Sequence, residues 1–159
     1  MATILILVGT ESGNAQMVAD ALKPVLTTAG HKVDVTDRAA SIDALTSHEI
    51  YLVVCATHGA GDIPTNILPL AETLERERPD LTGRRYGVIA LGDMTYQDTF
   101  CGGGKKVDKV FALCGAEDRR AARGRRFVPA AARRRGAGLD RGLEEPRLTL
   151  GLTAINPAR

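Results

Sequence analysis

Little in this chain can hold a metal, close a disulfide or cross a bilayer. Its three cysteines, Cys55, Cys101 and Cys114, lie in or beside apolar stretches, where a reduced thiol behaves as a small hydrophobe. No disulfide framework is expected, and a cytoplasmic setting fits. His58 has no second His or Cys spaced to share an ion with it, so no metal site is expected. The apolar run Thr3 to Val8 has no basic leader or small-residue cleavage site and is far too short to span a membrane. It reads as a buried strand. The dinucleotide fingerprint G-x-G-x-x-G is missing, and Gly102-Gly103-Gly104-Lys105-Lys106 lacks the Gly-Lys-Ser/Thr ending of a P-loop. Tryptophan is absent, and aromatics are 4% of the 159 residues.

Charge is plentiful but unevenly spread. Residues 1–117 carry 10 Lys and Arg against 15 Asp and Glu, while residues 118–159 carry 11 against 4. An acidic body of net −5 therefore precedes a basic tail of net +7. Of the 42 tail residues, 27 are Arg, Ala, Gly or Pro, with neither helical nor strand periodicity. A chain of 159 residues is one ordinary domain, long enough to bury a core and too short for two. Three readings fit the tail: a basic arm that contacts nucleic acid, membrane or an acidic partner; a disordered linker; or an out-of-frame translation of a GC-rich gene. The third accounts best for the composition, because those four residues are encoded by G or C at the first two codon positions.

Within the body, runs rich in Val, Ile and Leu at Ile4 to Val8, Tyr51 to Ala56 and Tyr86 to Leu91 lack polar alternation, as strands buried on both faces do. Lys32 to Thr36 alternates and reads as an edge strand. Between them, Met17, Val18, Ala21, Leu22 and Val25 share one helical face, as do Ile67, Leu70, Ala71 and Leu74, and then Val107, Val110, Phe111 and Cys114. Gly30 and Gly115 stand where helix ends need a left-handed residue. Pro24 predicts a kink or an early stop in the first helix, whereas Pro69 falls in a first turn, where no hydrogen bond is lost. Strands alternating with helices predict an α/β doubly wound parallel sheet.

Such sheets bind ligands beyond the carboxyl ends of their strands. Three unusual loops leave strands at that edge. Gly9-Thr10-Glu11-Ser12-Gly13-Asn14-Ala15 offers hydroxyls, a permissive glycine and the free N–H groups of a helix start, a cradle for phosphate without a cation. Alternatively, Ser12 or Asn14 is only a helix N-cap. Ala56-Thr57-His58-Gly59-Ala60-Gly61-Asp62-Ile63-Pro64-Thr65-Asn66 has glycines that let backbone approach a flat ligand, with His58 available to lie against a ring. Leu91-Gly92-Asp93-Met94-Thr95-Tyr96, continuing through Gln97-Asp98-Thr99 to Phe100-Cys101-Gly102, puts Tyr96 in a polar loop, either a stacking platform or a cap on a local apolar patch.

Three motifs in this order resemble the flavodoxin family, most closely short bacterial flavodoxins of the MioC type and the FMN domains of diflavin reductases, over about Thr3 to Glu117. The resemblance implies strand order 2-1-3-4-5 and one bound FMN. Thr10, Glu11, Ser12, Gly13, Asn14 and Ala15 would hold its phosphate. Thr57, His58, Gly59, Ala60 and Gly61 would lie along the isoalloxazine, with Gly59 near N5 and with His58 and Tyr96 flanking the ring. The backbone around Gly92 and Asp93 would meet the pyrimidine edge, and Leu91, Phe100 and Cys101 would also bind the cofactor. His58 stands where the diflavin domains carry Tyr, and Asn14 where Thr is common. The family's fifth strand and last helix, often with a Trp, have no recognisable counterpart after Glu117.

No side chain in these loops is needed as a general base or nucleophile, so no catalytic residue is assigned. A carrier is expected, passing single electrons between a flavin reductase and an electron-accepting protein, with the acidic body steering docking onto basic partners. A monomer is expected, and nucleic acid is not the expected partner. Two rivals stand beside this reading: an FMN-dependent NAD(P)H:quinone oxidoreductase on the same fold, and a binding module whose basic tail grips nucleic acid.

Overall fold

The computed structural model describes residues 1–38, 40–92 and 98–118. Within them the chain runs β1 (Thr3–Gly9), α1 (Asn14–Thr28), β2 (Lys32–Thr36), α2 (Ile42–Thr46), β3 (Ile50–Cys55), α3 (Leu68–Glu77), β4 (Arg85–Ala90), α4 (Gly102–Leu113) and β5 (Glu117–Asp118). The five strands are parallel and ordered β2-β1-β3-β4-β5. This is the doubly wound sheet that the alternation predicts. The fifth strand, not recognisable in the sequence, is present as a two-residue stub that pairs Glu117 with Arg85 and Asp118 with Tyr86. The basic tail beyond it lies outside the described residues.

Alternate residues of the central strands serve opposite cores, which is why these strands read as unbroken apolar runs. Ile4, Ile6 and Val8 of β1, with Leu52 and Val54 of β3, pack against α1. Leu5, Leu7, Tyr51, Val53 and Cys55 face α3 and α4, where Ile67, Leu70, Ala71, Leu74, Val107, Val110, Phe111 and Cys114 are buried as their spacing predicts. Phe111 sits between Tyr51 and Tyr86, with ring centroids 5.6 and 5.4 Å away. All three cysteines are free and buried, and burial pushes the Cys55 thiol up to about 12.

Helix α1 departs from its reading in two ways. Its buried residues are Ala15, Ala19 and Leu26, with Val18 and Leu22 partly buried, whereas Met17 is 71% exposed and Ala21 and Val25 also face water. The inward face is rotated so that Ala15 and Ala19 join Leu26 against the sheet, while Met17 and Val25 are left outside. Of the kink or early stop expected at Pro24, the stop does not occur, for the helix continues to Thr28. Pro24 and Asp20, whose carbonyl loses a donor, are both exposed, so water can replace the missing bond. Gly30 and Gly115 take the left-handed conformation expected of them.

Candidate functional site

The strands end together, and their exit loops are knitted side by side. Gly9 accepts from Ala56 N, and Cys55 from Leu91 N, each at 2.8 Å. The first loop and the third are thus bonded through the second.

In the first loop, the Thr10 hydroxyl accepts from Gly13 N at 2.8 Å. Gly13 is left-handed, with φ 86°, and no side chain caps α1. Ser12 and Asn14 are exposed and do neither job, which removes their reading as mere N-caps. The first-turn N–H groups have no intrahelical partner and point toward the sheet edge with the positive end of the helix dipole. A Cβ on Gly13 would meet nothing within 4 Å, so open space lies beside the start of α1. An oxyanion fits here without a cation.

Glu11 is an odd neighbour for an anion. Its carboxylate accepts from both Thr65 N and Thr65 Oγ1 at 2.7 Å, and these bonds hold its pKa below the usual carboxylate range. It ties the first loop to the second. Asn66 makes a second tie, described below.

The second loop folds into a tight turn: His58 N donates to Asp62 O at 3.0 Å and Asp62 N to His58 O at 2.7 Å, with Gly59 and Gly61 left-handed. His58, Gly59 and Ala60 are exposed at its tip, and Gly61 is buried. Lys106 Nζ donates to Asp62 Oδ1 at 2.6 Å, clamping the turn to α4 and depressing the Asp62 pKa. Thr57 Oγ1 donates to Leu91 O at 2.9 Å, joining the second loop to the third.

Of the third loop, Leu91 and Gly92 and then Asp98 to Cys101, just before α4, are described, while Asp93 and Tyr96 lie outside the described residues. Gly92 packs against Cys101, where a Cβ would come within 2.6 Å of Cys101 N. Ala15, Leu91 and Cys101 are buried side chains, so only their backbone can meet a ligand. The three loops that carry the described residues expected at the site are thus bonded to one another at the carboxyl edge of the sheet. What the sequence reading did not assign is the scaffold of Asn66, Thr65, Asp62, Lys106 and Gly102 to Gly104. Each of the first three is polar and lies inside a quoted loop, a signal that was visible but not specific.

Among the described residues no group of three His, Cys, Asp or Glu can hold a metal, and no helix is long and apolar enough to cross a membrane.

Comparison with known proteins agrees with this architecture. Residues 6–120 match the family model described as Flavodoxin. Flavodoxin YqcA of Escherichia coli (strain K12) is 43% identical over 111 residues, covering 69% of this chain and 74% of that protein. Protein MioC of the same organism is 38% identical over 117 residues, covering 74% and 78%. Among solved structures, a mutant of flavodoxin from Pseudomonas aeruginosa superposes with a TM-score of 0.67 at 37% identity, covering 73% of this chain and 78% of that one. With the sheet order, the three edge loops and these relatives in agreement, the chain belongs to the flavodoxin family.

Proposed function

We propose that this protein binds one FMN across the carboxyl edge of its sheet and transfers electrons one at a time between a flavin reductase and an electron-accepting protein. The observation that carries the reading is the uncapped, glycine-opened start of α1, flanked by two further loops bonded to it. Thr10, Ser12, Gly13, Asn14 and the Ala15 backbone would hold the phosphate, with Glu11 drawn onto Thr65. Thr57, His58, Gly59, Ala60 and Gly61, with Leu91, Gly92, Asp93, Tyr96, Phe100 and Cys101, would line the ring. Bound FMN supplies the redox chemistry, and the protein supplies orientation, water exclusion and electrostatics. The acidic body, residues 1–117, disfavours added negative charge on the flavin and favours basic partners. Cytoplasmic residence and a monomeric state belong to the same proposal.

The test is an absorption spectrum after FMN addition and gel filtration. Flavin bands should co-elute with the protein at about one equivalent. A folded but colourless protein would refute FMN binding. A coloured protein that steadily consumes NAD(P)H with a quinone, without any reductase, would replace the carrier by an oxidoreductase.

A further inference from the structure

The pairing of β1 is lopsided at its carboxyl end. Toward β2 it stops at Leu7 and Thr36, whereas toward β3 it continues to Gly9 and Cys55. In a parallel ladder the carbonyl of one residue and the N–H two residues later face the same neighbour and bond the N–H and the C=O of one of its residues. Gly9 O is taken by Ala56 N on the β3 side. The groups left facing the β2 side are therefore Val8 O and Thr10 N, where β2 no longer runs.

A single carboxamide fills that gap. Asn66 Nδ2 donates to Val8 O at 2.7 Å, and Asn66 Oδ1 accepts from Thr10 N at 3.0 Å. The second hydrogen on Nδ2 goes to Asp37 O, also at 2.7 Å, in the chain leaving β2. The side-chain amide thus supplies the donor and acceptor that the N–H and C=O of one more β2 residue would offer, one rung beyond the last true pair. Thr10, which it fixes, in turn accepts from Gly13 N at the mouth of α1.

Building on the FMN reading above, we infer that Asn66 is a positioning residue for the phosphate end of the cofactor. Its amide holds the end of β1 in strand geometry after β2 turns away, and so aims the donors of residues 10–15 at one anion. Asn66 need not touch the flavin. Its effect falls mainly on the phosphate, because the ring-lining turn is fastened by further bonds, Thr57 to Leu91 and Lys106 to Asp62.

Asn66→Asp is nearly isosteric but has no N–H to donate and sets a carboxylate against two carbonyl oxygens. In the full-length protein, dissociation constants for FMN and for riboflavin, which lacks the phosphate, separate the two ends of the site. The variant should bind FMN at least about tenfold more weakly, the scale of one or two lost hydrogen bonds, while riboflavin changes less than about twofold. An equal loss for both flavins, or no loss for either, overturns the positioning role while leaving FMN binding intact. In the flavin-free wild type, the Thr10 amide should be protected from hydrogen exchange; free exchange there also overturns it, whether or not the variant folds. A wild type that binds neither flavin refutes the underlying FMN reading instead.

Discussion

At the scale of single residues, the glycines divide into those that need a conformation and those that need space. The run Gly102-Gly103-Gly104 fails as a P-loop in sequence, and the structure gives it another reason. A Cβ on Gly103 would sit 2.6 Å from Ala56 O and 2.7 Å from Asp62 O, and one on Gly104 would come within 2.4 Å of Ala90 Cβ. The start of α4 is pressed against the second loop and β4, and the opposing atoms at Gly103 are backbone, which cannot swing aside. Gly103→Ala should therefore destabilise the fold by about 1–3 kcal/mol, as overpacked sites do. Gly13→Ala meets nothing and should lose only about 1 kcal/mol, from its φ of 86°. Urea unfolding of both variants checks the order, and a larger loss at Gly13 would contradict it.

At the scale of elements, legibility followed how completely packing determines a residue's surroundings. The three central strands and the faces of α3 and α4 were readable because both sides of β1 and β3 are covered, so an unbroken apolar run has one meaning. The face of α1 was misread in part: Val18 and Leu22 do pack against the core, but pattern analysis weights Met17 and Val25 above Ala15 and Ala19, which the sheet receives instead. Helix α2 is five residues long, too short for a period to register. The edge loops were legible as motifs, but the rung made by Asn66 depends on where β2 stops pairing, which no local pattern reveals. Pro24 leaves a testable mark on α1. It lies inside an intact, solvent-facing helical turn, so Pro24→Ala restores one backbone bond and relieves crowding. A gain of about 1–3 kcal/mol is expected, reduced by the greater freedom of the unfolded chain. A lower urea midpoint would mean that the proline ring contributes packing that its exposure does not suggest.

At the scale of the whole molecule, two kinds of interaction divide the work. The sheet is held by apolar cores on both faces, while several ties at its rim end on surface carboxylates. Thr65 bonds Glu11, Lys106 bonds Asp62, His48 bonds Asp34 at 3.0 Å, and Thr82 N bonds Asp80 at 3.0 Å. These hydrogen bonds favour the ionised form, so all four carboxyls have folded pKa values below their ordinary ones, 4.5 for Glu11 and 3.8 for the aspartates. Depressed acids contribute stability above their unfolded pKa values and lose it as pH falls through the folded ones. Stability from this source should hold from neutral pH to about 5, then decline as pH drops past 4.5 and 3.8. Because the Lys106–Asp62 pair is exposed, salt should shrink its share. Urea midpoints from pH 7 to 3 at low and high salt test this. A midpoint that rises as pH falls through 4 would mean that relief of repulsion in the acidic body outweighs every one of these ties.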